Sequence, residues 1–224
     1  MSEAREVWLL PGMDGTGRLY APLLDALGDD GRACRVFEHG DAASYDALLD
    51  RLPSPTTPTV VVGESFGGPL AIRLASRHAD LVRHVILIAS FARAPRPFLR
   101  VASLGARMLP TPPSWAIELA MLGQGADAAL TQAVREAIRS VPPRTTAARV
   151  ASLASLDVRA TVASTSTPVT ALVATLDRLV PRALAEEPAL LAPRGRVIAI
   201  EGPHLLAQAR PREVADVIRD LVDR

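Results

Sequence analysis

Lysine and asparagine are both absent from the 224 residues, so all 25 basic side chains are arginine. A GC-rich coding sequence is the simplest cause, ahead of any arginine-specific function. The missing asparagine, with the placement of the single cysteine, argues against a Cys-His-Asn nucleophilic centre. One cysteine also excludes an intramolecular disulfide, and Cys34 lies in an apparent strand where a packed thiol is expected. Aromatic residues make up only 4% of the chain, and no basic stripe interleaves with them. With 24 acidic residues the net charge is +1, so nothing here points to nucleic acid as a partner. Long apolar runs are missing too. The run 82–89 is strand-sized and carries Arg83 and His84, so no stable membrane insertion is expected. The first six residues lack the basic and apolar regions of a signal peptide, and the expectation is a cytoplasmic protein.

What is present is 49% hydrophobic residues, enough for a substantial core in one domain, with room for an insertion. One stretch stands out. The β-branched run at Thr59–Val62 feeds into Gly63-Glu64-Ser65-Phe66-Gly67, and helix-forming residues follow at once. This is the pattern of a nucleophile elbow, a serine on a strained turn between a strand and a helix. Gly63 and Gly67 lack a Cβ, which lets strand and helix close around that turn. The pattern alone is weak, because a tight turn with an ordinary serine writes the same letters. Its flanks strengthen it: Val60-Val61-Val62 before, an apolar Ala71-Ile72-Leu74-Ala75 stripe after.

The spacing predicts alternating strands and helices over the first two-fifths of the chain. Strands are expected at Val7–Leu10, Cys34–Phe37, Thr59–Val62 and Val85–Ala89, with helices at Leu19–Leu27, Tyr45–Leu52 and Ser65–Arg77. From Phe91 to about Thr167 the rhythm breaks into helix-like pieces punctuated by proline: Phe98–Leu109, Ser114–Leu122, Ala126–Val141 and Thr145–Leu156. Alternation then returns with strands Val169–Ala174 and Val197–Ile200 and helices Arg182–Leu191 and Pro211–Val222. Such a chain is expected to form an α/β fold, a mostly parallel sheet with helices on both faces and a helical cap-like insertion over 91–167.

A serine hydroxyl needs a base. Of the four histidines, His39 could reach the sheet edge but is otherwise unmarked, His78 ends a helix as a routine cap, and His84 enters a strand. His204 lies in the loop beyond Val197–Ile200, where parallel sheets build their sites, and is the expected base. Its carboxylate partner is expected to be Asp177, just past Val169–Ala174. Asp157 competes but follows no strand. Backbone N–H groups of Phe66 and of Met13 are the expected oxyanion donors, Met13 lying in the glycine-rich loop Pro11–Gly17. Asp14 is expected to tie down that loop. The loop lacks the lysine and spacing of a phosphate-binding loop.

The order Ser65, Asp177, His204, together with Leu10–Gly17, Gly63–Gly67, Leu176–Pro181 and Gly202–His204, resembles the α/β-hydrolase superfamily. Among its branches the chain looks most like small carboxylesterases and the esterases of biotin synthesis. The opening Leu-Pro-Gly-Met-Asp-Gly-Thr-Gly also resembles plastid and bacterial acyl-ester enzymes, and it departs from the His-Gly form common in the superfamily. The resemblance implies hydrolysis of a small-molecule acyl ester through Ser65, Asp177 and His204, without metal or cofactor. Thioester cleavage, acyl transfer or a non-catalytic ligand-binding role are the rivals it leaves open, and it leaves the oligomeric state open. Phe91, Phe98, Met108, Leu109, Trp115 and Met121 are candidate pocket-lining residues.

Overall fold

The computed structural model describes residues 6–28, 34–95, 121–123 and 127–222. Six strands form one sheet: β1 (Glu6–Leu10), β2 (Cys34–Val36), β3 (Thr59–Glu64), β4 (Val82–Ile88), β5 (Val169–Ala174) and β6 (Gly195–Ile200). Their order is β2-β1-β3-β4-β5-β6, and every pairing is parallel. The described helices are α1 (Ala21–Leu27), α2 (Tyr45–Arg51), α3 (Gly67–Arg77), α4 (Ala128–Ser140), α5 (Pro143–Ala154), α6 (Arg159–Ser164), α7 (Arg182–Leu191), α8 (Leu206–Ala209) and α9 (Pro211–Val222).

Strand side chains alternate between the two faces, and both faces are apolar, so both must be covered. Trp8, Leu10, Val61, Leu87 and Val173 pack with α2, α3, α6 and α7. The residues between them, including Leu9, Val62, Ile86 and Leu172, pack with α1, α8 and α9 on the other face. This is the parallel sheet with helices on both faces that the alternation predicts, and it agrees with the fold that the resemblance to the α/β-hydrolase superfamily implies.

Differences from the expected boundaries have local causes. The predicted helix at Leu19–Leu27 splits into a 3₁₀ turn (Arg18–Tyr20) and α1, with Pro22 in the first turn of α1. β4 begins at Val82 because Arg83 points outward and His84 bonds Thr170 Oγ1 at 2.8 Å on β5. Helix α3 begins at Gly67, leaving Ser65 at positive φ on the turn. Between β4 and β5 the described residues form α4, α5 and α6, plus one antiparallel bridge between Arg93 and Asp157. The piece expected at Phe98–Leu109, and all but the last two residues of Ser114–Leu122, lie outside the described residues. Cys34 is half-buried beside the core on the α1 face. No described helix is long and apolar enough to cross a membrane.

Candidate active site

The carboxyl ends of β1, β3, β4, β5 and β6 converge on one edge of the sheet. At the end of β3 the chain reverses into α3 through Ser65, whose φ is 48°. That conformation is costly for a residue with a Cβ and persists only where its surroundings enforce it. Here they do. A Cβ on Gly63 would come within 2.6 Å of the Gly67 carbonyl oxygen, and one on Gly67 within 2.2 Å of the Leu10 carbonyl oxygen. Only glycine at both positions lets β1, β3 and α3 close on the turn.

Three of the expected residues meet here. His204 Nε2 lies 2.9 Å from Ser65 Oγ, and His204 Nδ1 lies 2.7 Å from Asp177 Oδ2. The histidine and the carboxylate are almost fully buried. Asp177 Oδ1 accepts from the amides of Leu179 (2.7 Å) and Val180 (2.9 Å), which orients its other oxygen toward the imidazole. Asp157 is exposed and turned away, bonded to Arg159, whose hydrogen bonds lower its pKa to about 2. The other histidines are occupied elsewhere. His39 is buried with Nε2 3.0 Å from the Pro11 carbonyl; burial, then the nearby Arg149 charge, lower its pKa to about 4. It is therefore neutral near pH 7 and donates to Pro11. His78 caps α3, its amide donating to Leu74.

Neither the Phe66 nor the Met13 amide has a hydrogen-bond partner among the described residues, and both residues line the cavity beside Ser65. The plane of the Ser65–Phe66 peptide is fixed from behind: the Ser65 carbonyl accepts from Ser90 Oγ at 2.7 Å and from the Gly68 amide at 3.1 Å. The loop after β1 is held through its carbonyls. Pro11 is taken by His39, Gly12 by the Gly15 amide, and Gly15 by the His39 amide. Met13 and Asp14 both accept from one nitrogen of Arg149 at 2.9 Å. Asp14 spends its carboxylate on the Thr16 amide and hydroxyl, within the loop.

Arg149, on α5, is the residue that sequence reasoning missed most completely. Its side chain is fully buried, and besides Met13 and Asp14 it donates to the carbonyls of Ala42 (3.0 Å) and Gly40 (2.8 Å). One guanidinium therefore ties α5 to the loops after β1 and β2. Arg149→Met would leave four carbonyls without their donor. We expect it to destabilise the fold by about 3 kcal/mol or more, measured by urea unfolding. Arg149→Lys should recover only part of this, because a point ammonium cannot fan donors across four carbonyls on two loops.

A cavity of about 390 Å³ opens over Ser65 and His204. Its far wall is apolar and comes largely from the segment between β4 and β5: Phe91, Met121, Ile138, Val141 and Leu153. Of the candidate lining residues, Phe91 and Met121 are therefore at the cavity, while Phe98, Met108, Leu109 and Trp115 lie outside the described residues. No arginine is among the described residues of this wall. Among the described residues no group of three His, Cys, Asp or Glu side chains could hold a metal ion.

The family model of the alpha/beta hydrolase family matches residues 4–217. Phytyl ester synthase 1 of Arabidopsis thaliana chloroplasts is 32% identical over 118 residues, 46% of this chain and 17% of that protein. A pimeloyl-[acyl-carrier protein] methyl ester esterase of Neisseria meningitidis is 42% identical over 64 residues, 25% of this chain and 24% of that protein. These matches span less than a quarter of the curated relatives' own lengths. The enol-lactonase of Burkholderia xenovorans LB400 superposes with a TM-score of 0.86 at 17% identity, over 99% of this chain and 92% of that one. A thermophilic esterase from Thermogutta terrifontis superposes with a TM-score of 0.82 at 22% identity, over 100% and 91%.

Proposed function

Because the chain belongs to the alpha/beta hydrolase family, we propose that it is a serine hydrolase that cleaves carboxylic esters with an apolar acyl group. One observation carries the proposal: the unbroken hydrogen-bonded row from Ser65 through His204 to Asp177. A hydroxyl 2.9 Å from an imidazole nitrogen is within reach of a general base. Asp177, on the other ring nitrogen, holds the proton at Nδ1 and leaves Nε2 free to accept.

The chemistry follows in two steps. Ser65 Oγ attacks the ester carbonyl as its proton passes to His204 Nε2. The oxyanion forms between the Phe66 and Met13 amides, whose carbonyl-side contacts already hold them in place, so little reorganisation accompanies the charge. His204 then gives its proton to the leaving alkoxide, and the acyl group stays on Ser65. Water, deprotonated by the same nitrogen, releases the acid and restores the serine. The helices between β4 and β5 act as a cap whose apolar inner wall receives the acyl chain.

The test is a series of p-nitrophenyl esters of increasing acyl length. Each methylene that enters the cavity contributes up to about 0.8 kcal/mol. The expected result is a rise in kcat/KM of about three- to fourfold per methylene until the cavity is filled, then a plateau or fall. A profile flat from acetate upward would overturn the apolar-acyl reading. A second reading, acyl transfer to an alcohol, has one specific point in its favour, the similarity to a phytyl ester synthase. An added long-chain alcohol would then divert acyl groups from acid to new ester.

A further inference from the structure

Glu64 directly precedes the nucleophile and is only 3% exposed, and the reaction outlined above gives it no task. It meets Gln208, itself 5% exposed, across 144 residues of chain: Gln208 Nε2 donates to Glu64 Oε2 at 3.0 Å. Each side chain has one further polar atom, in both cases an oxygen. Glu64 Oε1 and Gln208 Oε1 are the only buried side-chain nitrogen or oxygen atoms among the described residues without a hydrogen-bond partner. Both orphans belong to one contact. Elsewhere the described side chains satisfy their buried polar atoms, so two unsatisfied acceptors in one pair require a physical account.

An ionised carboxylate facing an amide has too few donors, because the carboxylate only accepts. One proton changes the balance. A carboxylic acid and a primary amide are complementary, the acid O–H donating to the amide oxygen while the amide N–H donates to the acid carbonyl. The geometry points to Glu64 being held as a neutral carboxylic acid paired with Gln208, the pair fastening the Ser65 elbow to the segment that carries His204. Gln208 stands four residues beyond His204, on α8, so the pair joins β3 to that segment behind the reacting atoms. Glu64 and Gln208 are positioning residues; this role rests on His204 being the base, whereas the protonation state does not.

The surroundings favour the neutral form. Burial is the main influence and raises the Glu64 pKa to about 7, helped by the Asp14 carboxylate. The Gln208 amide, the His204 ring and the Ala207 amide pull the other way and are outweighed. Tyr20 also faces this carboxyl, remains neutral with its own pKa raised by burial, and gives its hydroxyl proton to the Leu10 carbonyl. No cation is bonded to Glu64 among the described contacts. A charge released here would stand near His204 as a second carboxylate besides Asp177, and would oppose the negative charge that develops on the oxyanion.

The linkage has a definite sign. The folded-state pKa of about 7 lies above the unfolded value of about 4.3, so the folded chain holds the proton more tightly. The stability contributed at this site is complete below about pH 4.3 and is lost as pH rises to about 7. Within that window the folded-to-unfolded ratio should fall roughly tenfold per pH unit from this group alone.

Glu64→Gln is the discriminating variant, since a glutamine reproduces both hydrogen bonds of the neutral acid and cannot ionise. Its melting temperature relative to wild type should climb from about pH 4.3 to about pH 7 and then stay level. Infrared spectroscopy of the wild-type protein supplies a readout that does not depend on the variant folding. At about pH 6, where exposed carboxylates are ionised, a protonated-acid carbonyl band should remain, and it should be missing from Glu64→Gln. In ester hydrolysis, the wild-type kcat/KM should fall severalfold relative to Glu64→Gln as pH passes about 7. Absence of the acid band from wild type at about pH 6 would overturn the protonated pair, in favour of an ionised Glu64 whose spare oxygen is served by solvent. A melting-temperature gap that is constant with pH would do the same. If the band and the widening gap appear but the pH profiles of kcat/KM superimpose, the positioning role is overturned. Failure of the Ser65 assignment would instead remove hydrolysis at every pH and leave the band and the stability gap untouched.

Discussion

Ser65→Ala is expected to lower kcat for ester hydrolysis by about a millionfold, following the loss seen when the serine of another Ser-His-Asp centre is removed. The loss is this large because the remaining groups work only through the serine. On the proposed mechanism, His204 has no proton to accept once Oγ is gone, and the Phe66 and Met13 amides have no intermediate on Ser65 to stabilise. The fold should survive. Alanine keeps the Cβ and the φ of 48° that the glycine-lined turn already imposes, and only one hydrogen bond, to His204, is removed. The measurement is turnover of a p-nitrophenyl ester beside circular dichroism of the same sample. A fluorophosphonate probe supplies the second arm: wild type should carry the adduct on Ser65 and the variant none. A folded Ser65→Ala protein with near-wild-type turnover would sink the assignment. Absence of any adduct on the wild-type protein would favour a ligand-binding protein on the same fold.

Why the sequence singles out Ser65, Asp177 and His204, which the fold brings together, and does not single out Arg149, has a physical explanation. Each of the first three follows a run of β-branched and aliphatic residues by a few positions, and carboxyl ends of parallel strands lie along one edge. Topology thus brings together residues 139 positions apart with no pairwise signal between them. Arg149 works by donating to backbone carbonyls, which leave no trace in side-chain identity. In a chain whose every cation is arginine, one more on a helix marks nothing. Glu64 was visible, within the elbow itself, but at a position where the motif accepts any residue. Its partner Gln208 lies in a short helix beyond His204 that the alternation did not predict. Helix α6 escaped for a related reason. Arg159–Ser164 is six residues long and rich in β-branched and hydroxyl side chains, and only Val162 is fully buried. With a single anchor there is no periodicity to read.

Asp177→Asn is the second large loss, about four orders of magnitude in kcat, and its cause is a tautomer and not a missing charge alone. In wild type the carboxylate accepts from His204 Nδ1, so the proton sits on that nitrogen and Nε2 is open toward Ser65. An asparagine can keep its carbonyl oxygen on the Leu179 and Val180 amides, where Asp177 Oδ1 sits, so the loop should hold its shape. Its NH₂ group then faces the imidazole and donates. Nδ1 becomes the acceptor, Nε2 carries the proton, and the ring can no longer take one from Ser65. Stability should change little while turnover collapses, a split that separates this residue from a merely structural carboxylate. Asp157→Asn is the control. That side chain is exposed, pairs with Arg159 at the solvent-screened surface, and does not touch His204. Turnover in Asp157→Asn should match wild type. If Asp157→Asn collapsed instead and Asp177→Asn kept near-wild-type kcat, the acid would have been misassigned, and with it the direction in which His204 is primed.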